Sequence, residues 1–487
     1  IGRRFGLPTA SIDDVARQLA GAGISVVSRY RQRTSLLVEG AAASVERLLG
    51  VTMRDHIGTG GERYHVPDRA PTIPAALAAS VTGVRGLSDQ LRPAPGTSAN
   101  TLTHRHTTAF PAAPAPDPTG IPERGLKPAD VLAAYDIAAL RDAGIDGSGQ
   151  TIAVVSFDTF RDADVRAFDT AFGISAPLPE RVPVGAAVKP GDGAIEVDLD
   201  VEVIQAIAPK AKILNFEASQ DTPFSAIIEA IISDGRANVA SISWGACEGR
   251  SMGNEITSEE PSFRRAAQAR GITIFVASGD NGAYCSRREN IANTAVNVSW
   301  PATSPSVVSV GGTLLSLRTD RTYLGEAGWE DPLSGGGTGG GVSLFNQRPT
   351  WQTGAGVDNA ASNGMRQVPD VAGPADPDSG FVIFTTESSD SGPTATIVGG
   401  TSAASPFWAA TTILAAQLAA RNGRSGGFGF LGPTLYQLAA ATPTAFHDVT
   451  RGGNLRNGAT TGWDYATGLG SPDAAVLARA LAAQAGP

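Results

Sequence analysis

Ser402 lies in a segment of small residues that could hold a nucleophile. It follows Gly399, Gly400 and Thr401, and an apolar helix pattern over residues 407–420 comes shortly after it. Glycines permit a tight turn, and backbone N–H groups at a helix N-terminus stabilise a developing negative charge. The segment therefore suits a hydroxyl nucleophile whose own N–H lies in an oxyanion hole. By shape alone it also fits an ordinary helix start, capped by Thr401 or Ser402.

The base for such a nucleophile is the next requirement, and histidine is the usual one. The chain has five histidines, which are His56, His65, His104, His106 and His447. Only His447 lies beyond residue 126, and the adjoining Asp448 and Gly452-Gly453 suggest a loop with another purpose. If Ser402 is a nucleophile, we expect a carboxylate base.

The run Glu196-Val197-Asp198-Leu199-Asp200-Val201-Glu202 supplies candidate carboxylates. Its strict alternation predicts a strand with four acids on one face. As a helix that ends before Pro209, the same run places Glu196 and Asp200 on one face, where one carboxylate acts as base and the other orients it. A solvated acidic face is the third interpretation.

Asp280 is a further candidate, in the segment Ser278-Gly279-Asp280. An ionised Asp beside an oxyanion would repel it, whereas a protonated Asp donates a hydrogen bond. A carboxylate base with a reference pKa near 4.3 likewise implies a reaction that runs in acid. The sequence Asp280-Asn281-Gly282 is also a strong turn signal in its own right.

An alternation of buried strands and helices must position these residues. Apolar runs at 151–156, 211–216, 240–244, 272–277 and 306–310 predict parallel strands, and 223–233 and 261–269 predict helices between them. This pattern predicts an α/β fold with helices on both faces of a parallel sheet. Ser243-Trp244-Gly245 and Ser278-Gly279 follow two of the strands, at the edge where such sheets bind ligands.

The N-terminal part of the chain predicts a separate, small α+β domain. Helices are expected at 12–22, capped by Ser11, and at 41–49, with strands at 24–28 and 35–38. Residues 93–126, rich in Pro, Ala and Thr, read as an exposed linker that contains the maturation site. We thus expect domains at 1–92 and 127–487, with the N-terminal end, Ile1-Gly2-Arg3-Arg4, processed or trimmed.

Charge and composition exclude some partners. The net charge is −9, and residues 1–92 carry twelve Arg, no Lys and eight Asp or Glu, which gives +4 there and −9 − 4 = −13 elsewhere. This balance argues against nucleic acid, and no apolar run is long enough to span a membrane. An electrostatic attraction between the two parts would weaken in acid. Cys247 and Cys285 fit either a disulfide in a secreted protein or two buried thiols.

Taken together, these motifs resemble the sedolisin family of serine-carboxyl peptidases, and its kumamolisin-like members most of all. Glu196-x-x-x-Asp200, Ser278-Gly279-Asp280 and Gly400-Thr401-Ser402-Ala403-x-x-Pro406 occur in the family's order and at its approximate spacing. Tyr64-His65-Val66-Pro67 resembles the family's activation domain. The resemblance implies a subtilisin-like fold preceded by a ferredoxin-like prodomain.

The resemblance also implies roles for individual residues. Glu196 would be the general base and acid for Ser402, Asp200 would orient it, and a protonated Asp280 would stabilise the oxyanion. Ser243, Trp244, Gly245, Ser278 and Gly279 would hold a protein or peptide substrate as an added strand. The prodomain would be an intramolecular inhibitor, removed by cleavage in acid, and the mature enzyme would be secreted and monomeric.

A structural calcium ion is implied in the C-terminal loop. Its ligands would be Asp448, Asp464 and the carbonyl oxygens of Val449, Thr460 and Gly462, a set of hard oxygens. Thr460 departs from the glycine usual in relatives. Ser156 also departs from the family pattern, because kumamolisin-like enzymes place an additional glutamate near this position, which leaves the tuning of Glu196 open.

Three functions are compatible with these residues. The favoured one is an acid endopeptidase, and the others are a catalytically inactive protease-like binding protein and an acyl hydrolase of esters. Tripeptidyl-peptidase action of the same family is a further alternative, because it depends on what blocks the cleft. The sequence leaves cleavage specificity, pH optimum and biological substrate undetermined.

Overall fold

The structure is a computed structural model that describes residues 2–57, 63–90, 93–95, 121–249, 252–285, 295–386, 392–424 and 427–484. Most of the linker expected at 93–126, together with His104 and His106, lies outside the described residues. Within the described chain, no helix combines the length and apolar character needed to cross a membrane.

The N-terminal segment is an α+β unit, as expected. Its elements are α1 (Gly2–Phe5), α2 (Thr9–Gly21), β1 (Ile24–Arg29), β2 (Leu36–Gly40), α3 (Ala42–Leu49), β3 (Met53–Ile57) and β4 (Arg63–Pro67). β1 pairs with β2 and β3 with β4, both antiparallel. These described strands form two separate pairs and not the single sheet that a ferredoxin-like arrangement implies. Ser11 does not cap α2, because the helix already begins at Thr9, after Pro8.

Nine helices make up the helical part of the described residues after the linker. They are α4 (Pro128–Ala134), α5 (Ile137–Asp142), α6 (Asp162–Phe172), α7 (Ala194–Ile207), α8 (Phe224–Asp234), α9 (Gly253–Arg264), α10 (Thr401–Arg421), α11 (Gly432–Ala441) and α12 (Ala474–Gln484). The helix predicted to start at Pro261 is wrong in its boundary, since Pro261 lies inside α9. A π-helical segment, Arg265–Arg270, follows α9 directly.

An eight-stranded sheet forms the centre of this part of the chain. Its strands are β6 (Thr151–Ser156), β7 (Glu180–Pro183), β8 (Lys212–Glu217), β9 (Val239–Ile242), β11 (Thr273–Ala277), β13 (Val308–Leu317), β14 (Tyr323–Gly328) and β19 (Val371–Pro374). Their order is β14-β13-β11-β9-β6-β8-β7, and β19 also pairs with β13. Only the β13–β14 pairing is antiparallel, so the predicted parallel sheet is confirmed.

Shorter strands lie outside this sheet. They are β5 (Ala94–Pro95), β10 (Trp244–Cys247), β12 (Ser299–Trp300), β15 (Glu330–Asp331), β16 (Gly336–Gly337), β17 (Gly341–Gln347), β18 (Met365–Val368), β20 (Phe381–Thr385), β21 (Thr394–Val398), β22 (Phe446–His447) and β23 (Ser471–Pro472). β10 follows β9 directly and pairs with both β5 and β12.

Burial in the core holds α7 and α10 in place. Every residue of α7 except Ile195 is buried, and the first fifteen residues of α10 are buried as well. The two helices pack against each other, and α10 also packs against β9, β11 and β19. The candidate residues on these helices thus stand on rigid elements rather than on loops.

Candidate active site

Ser402 is the second residue of α10 and is completely buried. Gly400 precedes the helix with φ 126°, a conformation that favours glycine. A Cβ on Gly399 would lie 2.5 Å from the carbonyl oxygen of Ala375, so that position excludes a side chain. The Ser402 hydroxyl donates a hydrogen bond to the carbonyl oxygen of Ser243 at 3.3 Å. No side chain caps the helix, so the capping role considered for Thr401 and Ser402 is not the one observed.

Glu196 and Asp200 lie on α7, one helical turn apart, and both are fully buried. The strand interpretation of this run is therefore wrong and the helical one is right. Asp200 Oδ1 accepts a hydrogen bond from the Ser243 hydroxyl at 2.6 Å, and that hydroxyl also lies 3.1 Å from the carbonyl oxygen of Ser402. Ser243 thus connects the carboxyl group on α7 with the first turn of α10.

The electrostatics of this pair follow from burial and proximity. Burial raises the pKa of Asp200 well above its ordinary value, and the charge of Glu196 raises it further. The hydrogen bond from Ser243 acts in the opposite direction. Two carboxyl groups that interact in this way favour a state with one shared proton, in which one is ionised and the other neutral.

Asp280 reaches the same helix terminus from the loop after β11. Its Oδ1 accepts hydrogen bonds from the backbone N–H and from the hydroxyl of Thr401, both at 2.8 Å. Burial raises the pKa of Asp280 to about 7 against those two hydrogen bonds, and the charge of Glu196 contributes to the rise. Below neutral pH the Asp280 carboxyl group is therefore protonated and able to donate.

The segment Ser243-Trp244-Gly245 already pairs with another strand of the same chain. Trp244 and Gly245 in β10 pair antiparallel with Pro95 and Ala94 in β5, so the chain's own linker lies against the segment expected to hold substrate. The Trp244 ring packs at the start of α7, where a Cβ on Gly193 would come within 2.6 Å of it.

The backbone groups of Ser278 and Gly279 make hydrogen bonds within the chain. The N–H of Gly279 donates to the Thr401 hydroxyl at 3.0 Å, and the Gly279 carbonyl oxygen accepts from the Gly339 N–H at 2.7 Å. The Ser278 N–H donates to the Val310 carbonyl oxygen at 2.9 Å. In this structure the polar backbone groups of the pair thus mainly hold the Asp280 loop in place.

A second carboxyl pair on α7 escaped sequence reasoning. Asp198 and Glu202 lie on the opposite face from Glu196 and Asp200, where Asp198 accepts from the Thr385 hydroxyl at 2.9 Å and Glu202 from the Phe384 N–H at 2.8 Å. Burial raises the pKa of both well above their ordinary values. The alternation of four acids was the signal, because a helix sends such residues to two opposite faces.

The two carboxylates among the expected calcium ligands accept hydrogen bonds from one loop. Asp448 accepts the Gly462 N–H at 3.0 Å, and Asp464 accepts the Thr460 N–H at 2.9 Å, so both carboxylates face the segment 460–464. Asp464 is buried, and Val449 is buried beside the exposed Asp448. Carboxylate oxygens are among the donors that calcium prefers, so the chemistry of Asp448 and Asp464 suits this ion.

Two other expected features lie close to the site. A disulfide joins Cys247, at the end of β10, to Cys285, which follows the loop that carries Asp280. The disulfide therefore links β10, the strand expected to bind substrate, to that loop. The Ser156 hydroxyl donates to Asn215 Oδ1 at 2.7 Å and lies in the sheet next to Glu217, with which Asn215 also bonds at 3.2 Å. The Ser156 hydroxyl and the Asn215 side chain therefore form a buried hydrogen-bonded pair beside Glu217.

His447 is not positioned to act as a base for Ser402. It lies in β22 and stacks on Tyr323 with ring centroids 4.1 Å apart. The other described histidines, His56 and His65, are in the N-terminal unit, where His65 pairs with Asp89. The three carboxyl groups around the start of α10 are therefore the candidates for proton transfer at Ser402.

Comparisons with known proteins agree with this arrangement. Residues 185–451 match the subtilase family, and residues 1–90 match the pro-kumamolisin activation domain. Kumamolisin from Bacillus sp. strain MN-32 is 34% identical over 98% of this chain and 85% of its own length. Tripeptidyl-peptidase sed4 from Aspergillus fumigatus is 26% identical over 96% of this chain and 84% of its own length.

A solved structure extends the likeness to the fold. Pseudomonas sedolisin, a serine-carboxyl proteinase complexed with two molecules of pseudo-iodotyrostatin, matches with a TM-score of 0.65 and 28% identity. The match covers 74% of this chain and 99% of that one, which confirms the subtilisin-like fold. The chain therefore belongs to the subtilase family, as a serine-type peptidase similar to kumamolisin and sedolisin that carries a pro-kumamolisin activation domain.

Proposed function

We propose that the chain is the precursor of an acid-active endopeptidase with Ser402 as nucleophile and Glu196 as general base and acid. One observation carries this proposal. Carboxyl groups from two other segments, Asp200 on α7 and Asp280 after β11, reach the first turn of α10, Asp200 through the Ser243 hydroxyl and Asp280 through Thr401.

The reaction needs two different protonation states among these groups. Ser402 Oγ would attack the scissile carbonyl carbon while its proton passes to ionised Glu196, which Asp200 orients. The developing oxyanion would accept hydrogen bonds from neutral Asp280 and from the Ser402 N–H. Glu196 would then return the proton to the leaving amine, and water would hydrolyse the acyl-enzyme. Because Asp280 has a pKa of about 7, this arrangement favours acidic pH over neutral pH.

The contacts of the N-terminal unit support inhibition by the prodomain. Its Gln32 side chain donates to Glu229 on α8, at 2.5 Å to the carboxylate and 2.9 Å to the carbonyl oxygen. The Tyr30 hydroxyl donates to the carbonyl oxygen of Ala226 at 3.0 Å. Together with the strand pairing of Ala94–Pro95 on β10, these contacts would hold the precursor's own chain in the substrate position.

Endopeptidase and tripeptidyl-peptidase action differ in what they require of the substrate's N-terminus. A tripeptidyl-peptidase requires the free N-terminus of its substrate close to the nucleophile. Here Ala94 continues on its N-terminal side into the 93 residues that precede it, and this pairing of the precursor's own chain is compatible with either activity. Peptides with free and with acetylated N-termini separate the two activities, because only an endopeptidase cleaves both equally well.

Calcium and secretion complete the proposal. Asp448, Asp464 and the carbonyl oxygens of Val449, Thr460 and Gly462 would hold one Ca²⁺, which would stabilise the C-terminal loop. The disulfide between Cys247 and Cys285 is the kind of bond that persists in an oxidising, extracellular environment. We therefore propose a secreted, monomeric enzyme that acts on proteins or peptides.

Self-processing of the purified precursor tests the central claim. Wild type, Ser402→Ala and the control Ser405→Ala would be incubated between pH 3 and 7. Ser405 lies one turn further along α10, and its hydroxyl contacts that of Ser241 at 2.9 Å. We expect wild type and the control to shed residues 1 to about 120 in acid, and Ser402→Ala to stay intact. Shedding by Ser402→Ala, or fastest shedding near neutrality, would contradict the proposal.

A further inference from the structure

Thr401 makes three hydrogen bonds around the acid that is proposed to stabilise the oxyanion. The hydroxyl and the backbone N–H of Thr401 both donate to Asp280 Oδ1, each at 2.8 Å. The Gly279 N–H donates to the Thr401 hydroxyl at 3.0 Å. Thr401 is completely buried, and its side chain makes no capping bond to α10. Its hydroxyl is thus committed to the Asp280 loop.

The directions of these bonds determine where the hydrogens lie. A hydroxyl group has one hydrogen to donate. Because the Thr401 oxygen accepts from the Gly279 N–H, a donor that cannot be reversed, its own hydrogen is free for Asp280 Oδ1. That oxygen then receives two donors. In a neutral carboxyl group only the carbonyl-type oxygen accepts in this way, while the other oxygen carries the proton. Oδ1 is therefore the carbonyl oxygen of protonated Asp280, and Oδ2 is its hydroxyl.

We propose that Thr401 is a positioning residue that keeps the Asp280 proton on Oδ2 and so presents one fixed O–H donor to the oxyanion. This inference rests on the proposed function, in which neutral Asp280 donates that hydrogen bond. Thr401 is adjacent to Ser402 in the first turn of α10, so a single rigid segment sets both the nucleophile and the acid. Without the Thr401 hydroxyl, only the Thr401 backbone N–H would hold Oδ1, and the Asp280 proton would be fixed on Oδ2 less firmly.

The chain offers a matched control for this idea. Thr411 lies on the same helix and is also buried, but its hydroxyl donates to the Phe407 carbonyl oxygen within the helix at 2.9 Å. Thr401→Val and Thr411→Val thus remove the same atom from one buried helix, and only the first removes a contact with Asp280. Thr401→Ser keeps the hydroxyl and serves as the conservative variant.

The measurement is the rate of peptide hydrolysis against pH for the acid-processed enzymes, together with the self-cleavage rate of each precursor. We expect Thr401→Val to lower kcat about tenfold with little change in KM, a smaller loss than removal of an oxyanion donor itself. The alkaline limb of its kcat profile should move to higher pH, because the lost hydrogen bond favoured ionised Asp280. Thr401→Ser should recover most of the rate, and Thr411→Val should match wild type.

Two results separate failure of this inference from failure of the proposed function. If Asp280→Ala is inactive while Thr401→Val has the kcat and the alkaline limb of wild type, the role of Thr401 is refuted and the proposed function stands. If Asp280→Ala keeps wild-type kcat, the oxyanion role of Asp280 fails, and this inference fails with it. Should Thr401→Val not fold, as judged by calorimetry, Thr401→Ala replaces it under the same criteria.

Discussion

Replacement of Asp280 by Asn tests the strongest electrostatic feature of the site. The pKa of Asp280 rises from an ordinary value of 3.8 to about 7, chiefly because the side chain is buried. Between these two pH values the unfolded chain has released this proton and the folded chain has kept it. The free energy of unfolding must therefore fall as pH rises from about 4 to 7, since the folded state binds more protons in that window.

The size of the effect follows from the same numbers. A difference of about three pKa units corresponds to roughly 4 kcal/mol at 1.36 kcal/mol per unit. Unfolding of the 361 residues from 127 to 487 changes the entropy by about 0.8 kcal/mol/K, at roughly 2.1 cal/mol/K per residue. As pH rises from 4 to 7.5, the titration of Asp280 alone should thus lower the thermal midpoint by about 5 °C.

Calorimetry of two precursors isolates this contribution. Ser402→Ala would be compared with Ser402→Ala/Asp280→Asn at pH 4 and 7.5, in a background that avoids self-cleavage. The Asn side chain keeps an Oδ1 that accepts from Thr401 but carries no titratable proton, so the midpoint of the double variant should fall by about 5 °C less. Asp320→Asn is the control, because hydrogen bonds from Thr322 lower the pKa of that exposed carboxyl group. Equal pH dependence of the midpoint with and without the Asp280→Asn substitution would refute the electrostatic reasoning.

Three further predictions concern the carboxyl groups and the prodomain. In the Ser402→Ala background, Glu202→Gln should raise the thermal midpoint at pH 7 but not at pH 4. The reason is that the buried carboxylate costs about 1–3 kcal/mol only when it is ionised. An equal shift at both pH values would contradict this. Gln32→Leu should speed acid self-cleavage of the precursor about tenfold by removing its hydrogen bonds to Glu229, measured by gel densitometry, and an unchanged rate would exclude that contact as a restraint. A calcium chelator should lower the midpoint of wild type but not that of Asp448→Asn, and equal sensitivity would argue against this calcium site.

Much of the site could be predicted because its motifs are local. Ser402 follows two glycines that a helix start requires, and the Ser278-Gly279-Asp280 segment follows a strand whose apolar run is clear. The helical nature of residues 196–202 could not be decided from the pattern. A helix normally reveals itself by one apolar face and one polar face, but α7 is buried all round, so its polar residues reflect two carboxyl pairs and not a solvent boundary.

Other features depend on contacts that no local pattern reports. Gln32 and Glu229 are 197 residues apart, and nothing in the sequence around either one marks them as partners. The start of α9 was missed because Pro261 looked like a first-turn residue, whereas the helix had begun at Gly253. Proline is tolerated there at the cost of one backbone hydrogen bond, and packing against α8 compensates for that loss.

The two carboxyl pairs of α7 connect the proposed chemistry to the stability of the fold. Glu196 and Asp200 lie one turn apart on one face, where Asp200 contacts the Ser243 hydroxyl, while Asp198 and Glu202 bond to β20, so one buried helix carries four acids. Burial raises the pKa of both members of the second pair and the neighbouring Asp164 on α6 raises it further, which makes their joint ionisation unfavourable. Acid therefore favours the protonated second pair and neutral Asp280 at once. The acidic pH that favours the proposed reaction should therefore also favour the buried, protonated state of the second carboxyl pair on α7. A precursor that folds near neutral pH would then depend more on the prodomain contacts at Glu229.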